Sequence, residues 1–181
     1  ERDIEGIDND VTVIKFENTR KALAHIAAEF YGRPSERMNV IGVTGTNGKT
    51  TTTFLIKSVL DKIGDKVIPT ERTTPESLEL QELFKKMADE NCNDVVMEVS
   101  SHALDLHRVD DIKYNIGIFT NLTQDHLDYH ITMENYKIAK SLLFERALNS
   151  VINIDDEAGE FMVSKSKGKV ITFAIDKDAD L

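Results

Sequence analysis

A lysine, a run of threonines and two glycines stand together at Gly45-Thr46-Asn47-Gly48-Lys49-Thr50-Thr51. Residues 42–53 read G-V-T-G-T-N-G-K-T-T-T-T, with an apolar lead-in at 38–41 and Phe54-Leu55-Ile56 behind them. That is the pattern of a strand, a glycine-rich turn and the start of a helix. Such a turn aims several backbone N–H groups at one point over the positive end of a helix dipole. Lys49 adds a point charge for the β- and γ-phosphates, and Thr50 offers a hydroxyl to Mg²⁺. The spacing follows the Walker pattern G-x-x-x-x-G-K-S/T, with Val43 where the first glycine would stand. The predicted ligand is a nucleoside triphosphate.

Two further segments could do chemistry at the ends of strands. Residues 95–102 read V-V-M-E-V-S-S-H. A carboxylate such as Glu98 inside an apolar strand is costly unless something pairs with it. A metal ion beside phosphates would do so; an edge strand facing water would also account for it. Ser100 and Ser101 could contact phosphate or cap a turn. Residues 119–128 read F-T-N-L-T-Q-D-H-L-D, where two acids flank His126, a cluster suited to positioning metal or water. A fourth feature lies on the helix expected from Thr132. Tyr136, Ala139, Lys140 and Leu143 share one face of it, which puts Lys140 in the apolar stripe. Either its stem snorkels to water, or its amine is directed into the site as a cation or in a chemically altered form.

The elements that would carry these residues alternate. A short strand is expected at 11–16. A helix follows at 20–31, with Asn18 or Thr19 as its cap and Leu23, Ile26, Ala27 and Phe30 on its core face. Residues 32–35 (G-R-P-S) end that helix. A helix over 51–62 follows the phosphate turn. Another begins at Thr74-Pro75-Glu76, with threonine as cap and proline at the first position, and buries Leu80, Leu83, Phe84 and Met87. A buried strand at 95–99, a strand at 115–120, a helix at 132–147 and a strand–helix–strand run over 151–154, 156–164 and 169–173 complete the reading. Alternation of this kind means an α/β fold, a mostly parallel sheet with helices on both faces. Ligands in such sheets gather beyond the carboxyl ends of the strands.

Composition narrows the partners. The 181 residues, 40% of them hydrophobic, fit one globular domain with a short attached piece. Lys and Arg number 22 against 32 Asp and Glu, a net charge of −10. That argues against nucleic acid or an anionic membrane as partner. The lone Cys92 excludes an intrachain disulfide framework and suits a reducing compartment. No apolar run approaches spanning length and no signal peptide opens the chain, so a cytoplasmic protein is expected. A monomer is expected as well, with no residue pattern that decides it.

Taken in order, these segments resemble the central ATPase domain of the Mur ligases. The resemblance rests on residues 42–53, on R-T-T-P-E-S at 72–77, on M-E-V-S-S-H-A-L at 97–104 with Arg108-Val109, on 119–128, and on Tyr136 to Lys140 with Leu143-Phe144. The second and third segments point to the branch of the family that makes the UDP-N-acetylmuramoyl-tripeptide. The first is shared with folylpolyglutamate and cyanophycin synthetases. The resemblance implies residues 1–37 as the tail of an N-terminal domain with its linker, and 38–181 as a central ATP-binding domain incomplete at its C-terminal end.

The resemblance also implies roles for individual residues. Gly45 to Thr51 would hold the ATP phosphates, with Lys49 on the transferred group and Thr50 and Glu98 on Mg²⁺. His126 and Lys140 would serve a second Mg²⁺, Lys140 as a carbamate. Thr73, Thr74, Ser100 and Arg108 would touch UDP-N-acetylmuramoyl-L-alanyl-D-glutamate. The implied reaction is ATP-driven amide-bond formation with a diamino acid, meso-diaminopimelate or L-lysine, through an acyl phosphate. Only Asp65 to Glu71 separate the phosphate-loop helix from Arg72, where the family has a further strand and loop, either lacking here or left out of the sequence. The family's uridine-binding domain apart from its tail, the remainder of the central domain and the domain that binds the amino acid are also outside these residues, so this fragment is expected not to complete ligation alone. The alternatives are another ligase of the superfamily, or a nucleotide-binding switch module that would not need Glu98, His126 and Lys140.

Overall fold

A computed structural model describes residues 6, 8, 10–60 and 73–181. The short 65–71 stretch, Arg72 and the last two residues of the helix expected over 51–62 lie outside the described residues. Five strands form one sheet: β1 (Asn39–Thr44), β2 (Asp94–Glu98), β3 (Ile116–Phe119), β4 (Asn149–Asn153) and β5 (Lys169–Phe173). Their spatial order is β2-β1-β3-β4-β5 and all four pairings are parallel. Register decides which strand ends are neighbours. Val43 pairs with Glu98 and Thr44 with Phe119, so β1, β2 and β3 finish side by side. The loops that leave them must therefore meet.

Seven α-helices flank the sheet among the described residues: α1 (Thr19–Phe30), α2 (Lys49–Leu60), α3 (Ser77–Asp89), α4 (Ser101–Asp105), α5 (Leu127–His130), α6 (Met133–Arg146) and α7 (Gly159–Lys165). Asn18 caps α1 by accepting from the Arg20 and Lys21 amides, and Thr132 caps α6 by accepting from the Asn135 amide. Each such cap stabilises by about 1 kcal/mol. The core runs from Val40, Phe84 and Val99 through Tyr114 and Phe119 to Leu143, Phe144, Ile152 and Met162. Gly42 and Gly117 let α6 lie close on the strands; a Cβ at Gly42 would meet Tyr114 Cε1 at 2.8 Å and Leu143 Cδ1 at 3.1 Å.

Several local expectations are corrected. Residues 11–16 are exposed and form no strand; alternation alone does not make one without a sheet edge to pair with. On α1 the bulky positions face outward: Leu23 is 45%, Ile26 51% and Phe30 77% exposed, whereas Ala24, Ala27 and Ala28 are buried. The helix packs against α3, and the alanine face allows the closer approach. Thr74 does not cap α3, which begins at Ser77 with Glu76 in the cap position and no side-chain bond there. The 95–99 strand is β2, at the edge of the described sheet and only half-buried. The short helices α4 and α5 have no counterpart in the sequence reading, because neither is long enough to show a period.

The α1 geometry predicts a reversal of the usual substitution order. Ile26→Gln should change unfolding free energy by less than about 0.5 kcal/mol, while Ala27→Leu should cost about 1–3 kcal/mol by overpacking. Urea unfolding of the two variants checks this.

Candidate functional site

The turn between β1 and α2 is stitched to the loop after β3. The Thr46 amide donates to Asn121 O at 2.9 Å and the Asn47 amide to Asn121 Oδ1 at 3.0 Å. Thr120 Oγ1 and Asn121 Nδ2 donate in return to Asn47 O, at 2.7 and 3.1 Å. Two loop amides are thus engaged within the protein. The amides of the first turn of α2 remain, because helix geometry gives them no intrahelical acceptor. Gly45 has φ +155, and a Cβ there would lie 1.9 Å from Thr120 Oγ1. No other residue fits.

Both lysines singled out by sequence converge on that glycine. Lys49 Nζ donates to Gly45 O at 2.9 Å and to Thr46 O at 3.0 Å, and Lys140 Nζ donates to Gly45 O at 2.8 Å. Lys140 is 1% exposed, so its stem does not snorkel. Burial drives its pKa down to about 7, with repulsion from Lys49 adding to the effect and Asp125 opposing it. Burial lowers Lys49 as well, against the pull of Glu98 and Asp125. Neutralising the buried amine is the cheaper way to keep two lysines this close.

At the end of β2, Thr50 Oγ1 donates to Glu98 Oε1 at 2.7 Å. This hydroxyl–carboxylate pair gives Glu98 the partner that its place in a strand called for, and two hard oxygens suit Mg²⁺. Thr74 is buried; its hydroxyl donates to Glu98 O at 3.0 Å and accepts from the Ser100 amide at 3.1 Å. It therefore holds the corner together and does not itself reach out. Ser100 caps α4 by accepting from the Ala103 amide. Thr73 is exposed, and Arg108 pairs with Glu76 at 3.0 Å.

His126 stands at the start of α5 with φ 51, about half exposed, its Nε2 3.4 Å from Asp125 Oδ2. Its ring packs edge-on against His102 at 4.9 Å and Tyr136 at 6.0 Å. Among the described residues no three His, Cys, Asp or Glu side chains form a ready metal cage. Lys140 as a free amine brings no negative charge to such a cage.

Three contributors escape the sequence reading: Asn121, Thr123 and the hydroxyl of Tyr136. Asn121 and Thr123 sit in the polar run directly after β3, and that position at a strand's carboxyl end is the available signal. Thr46 Oγ1 accepts from the Thr123 amide at 3.0 Å and lies 3.2 Å from Tyr136 Oη.

The family model described as the Mur ligase middle domain matches residues 43–181. The chain belongs to the Mur ligase family. A UDP-N-acetylmuramoyl-L-alanyl-D-glutamate--2,6-diaminopimelate ligase of Clostridium botulinum is 50% identical over 197 aligned positions, which cover 100% of this chain and 41% of that protein. The chain thus spans about two fifths of the length of this relative. A solved structure of a ligase with the same name superposes with TM-score 0.77 at 28% identity, covering 88% of this chain and 38% of that one. The MurF ligase of Thermotoga maritima in complex with ADP has the same fold, with TM-score 0.66 at 20% identity over 94% of this chain and 40% of its own. None of the helices among the described residues of this Mur ligase chain is long and apolar enough to cross a membrane.

The buried lysine gives a pH prediction. Lys140 takes up its proton near 7 when folded and at its ordinary 10.5 when unfolded. Between those values the unfolded chain binds more protons, so stability climbs as pH rises from about 7 towards 10 and is flat below. In bicarbonate-free buffer the wild-type melting temperature should rise from pH 7 to pH 9 relative to that of Lys140→Met. Parallel profiles would contradict a buried, neutral amine.

Proposed function

We propose that this chain is the nucleotide-binding core of a cytoplasmic, ATP-dependent ligase that joins 2,6-diaminopimelate to UDP-N-acetylmuramoyl-L-alanyl-D-glutamate during peptidoglycan synthesis. One observation carries the reading. Lys49 and the Thr50–Glu98 pair stand together where adjacent parallel strands finish, in a chain 50% identical to a ligase of that name. The relatives' names favour diaminopimelate over L-lysine as the incoming amine.

In this reading the D-glutamate γ-carboxylate oxygen bonds to the γ-phosphorus as the bond to the bridging oxygen breaks, giving ADP and an acyl phosphate. The diamino acid's amine then attacks the acyl carbon, and the tetrahedral intermediate expels phosphate. Lys49 swings from the carbonyls of Gly45 and Thr46 to the transferring phosphoryl group, and the first amides of α2 hold its oxygens. Thr50 and Glu98 would hold Mg²⁺, which when bound offsets negative charge building up between anionic partners. Thr73, Ser100 and Arg108 face the UDP-linked substrate, with Thr74 fixing the backbone between them. Lys140, its proton affinity lowered to about 7 by burial, has a neutral fraction able to take up CO₂ as a carbamate; in that anionic form it and His126 would serve a second Mg²⁺.

Phosphate release by the full-length protein tests the reading. It should require both the UDP-linked dipeptide and diaminopimelate, and L-lysine should support less than a tenth of the rate. Glu98→Gln should lower kcat by roughly a hundredfold or more. Phosphate release that ignores the UDP-linked substrate would reject the proposal.

A further inference from the structure

Tyr136 is buried to 1% exposure beneath the phosphate loop. Its contacts reach three separate pieces of the site. Its hydroxyl lies 3.2 Å from Thr46 Oγ1. Lys140 Nζ lies 4.5 Å from its ring centroid, one helical turn along α6. The His130 ring stacks on it at 5.0 Å with 29° between the planes. His130 in turn holds Ser101, with Nε2 2.9 Å from the serine hydroxyl at the start of α4.

Proton counting fixes the direction of the first contact. Thr46 has one hydroxyl proton, which it gives to Thr123 O at 3.1 Å, while its oxygen accepts from the Thr123 amide at 3.0 Å. With the Thr46 proton on the Thr123 carbonyl, which can only accept, a lone pair is left for Tyr136 to donate to. The loop threonine is thereby saturated and has one orientation. Core packing alone would call for a ring here, but not for a hydroxyl directed at the turn.

We propose that Tyr136 is a positioning residue: its hydroxyl sets the phosphate loop through Thr46, and its ring sets the place of the Lys140 amine. This rests on reading residues 45–51 as the nucleotide site. The two halves of the side chain then have separable effects. Losing the hydroxyl loosens the loop and weakens nucleotide binding. Losing the ring also displaces Lys140 and slows turnover.

The test uses the full-length protein, with binding of a non-hydrolysable ATP analogue and Mg²⁺ measured by calorimetry and KM for ATP and kcat from phosphate release. Tyr136→Phe should weaken analogue binding and raise KM roughly two- to tenfold, the worth of one neutral hydrogen bond, with kcat near wild type. Tyr136→Leu should lose kcat as well, so that phenylalanine restores kcat but not KM. In a Thr46→Val background, Tyr136→Phe should have no further effect. Wild-type affinity in Tyr136→Phe, with or without a lowered melting temperature, would assign the residue to packing and overturn the proposal while leaving the nucleotide reading intact. Independent, multiplying effects of Thr46→Val and Tyr136→Phe would overturn the link through Thr46. Absence of analogue binding by the wild type would remove the nucleotide reading, and this proposal with it.

Discussion

Two lysine amines share one backbone carbonyl at the heart of this fold. Gly45 O accepts from Lys49 Nζ and from Lys140 Nζ, at 2.9 and 2.8 Å. The carbonyl can be offered to both only because the backbone adopts a conformation reserved for glycine, with Thr120 packed where a side chain would be. Repulsion between the amines is eased by the low proton affinity of the buried Lys140. The rest of the architecture serves this meeting. Parallel pairing brings the ends of β1, β2 and β3 to one place, and α6 lies close enough across Gly42 and Gly117 to deliver Lys140 to it.

On the proposed function, the arrangement also answers how a chain of net charge −10 would hold polyphosphate. Overall charge opposes the ligand, so local cations and oriented dipoles must carry the attraction. Lys49 and the amides at the start of α2 are placed for that task. The Glu98 carboxylate is tied to Thr50, where on the proposed function it would serve a divalent cation instead of repelling phosphate directly.

Much of this is legible in the sequence, for identifiable reasons. Glycine spacing around Lys49, the carboxylate inside β2 and the shared face of Tyr136, Ala139, Lys140 and Leu143 are local signals, and local geometry fixes their meaning. All four of those α6 residues are buried. Strand β5 follows from alternation alone, and its limits, Lys169–Phe173, match the sequence reading. Tertiary packing decides the rest. On α1 a stripe of large apolar residues has the look of a core face, yet the alanines beside it permit the closer approach to α3. Thr74 precedes a helix in the manner of a cap, but a stronger use is available at the end of β2, where it bonds Glu98 O and the Ser100 amide. Asn121 and Thr123 lie in the 119–128 run, where the acids around His126 draw the attention; only the register of β1 against β3 gives them the phosphate loop as a neighbour.

The most direct measurement is a crystal structure of the full-length protein with Mg²⁺ and a non-hydrolysable ATP analogue. Lys49 Nζ should have left the Gly45 carbonyl for the γ-phosphate, with Thr50 and Glu98 on the metal and the Lys140 nitrogen still within hydrogen-bonding distance of Gly45 O. Phosphates bound away from residues 45–51, with both amines unmoved, would contradict the account.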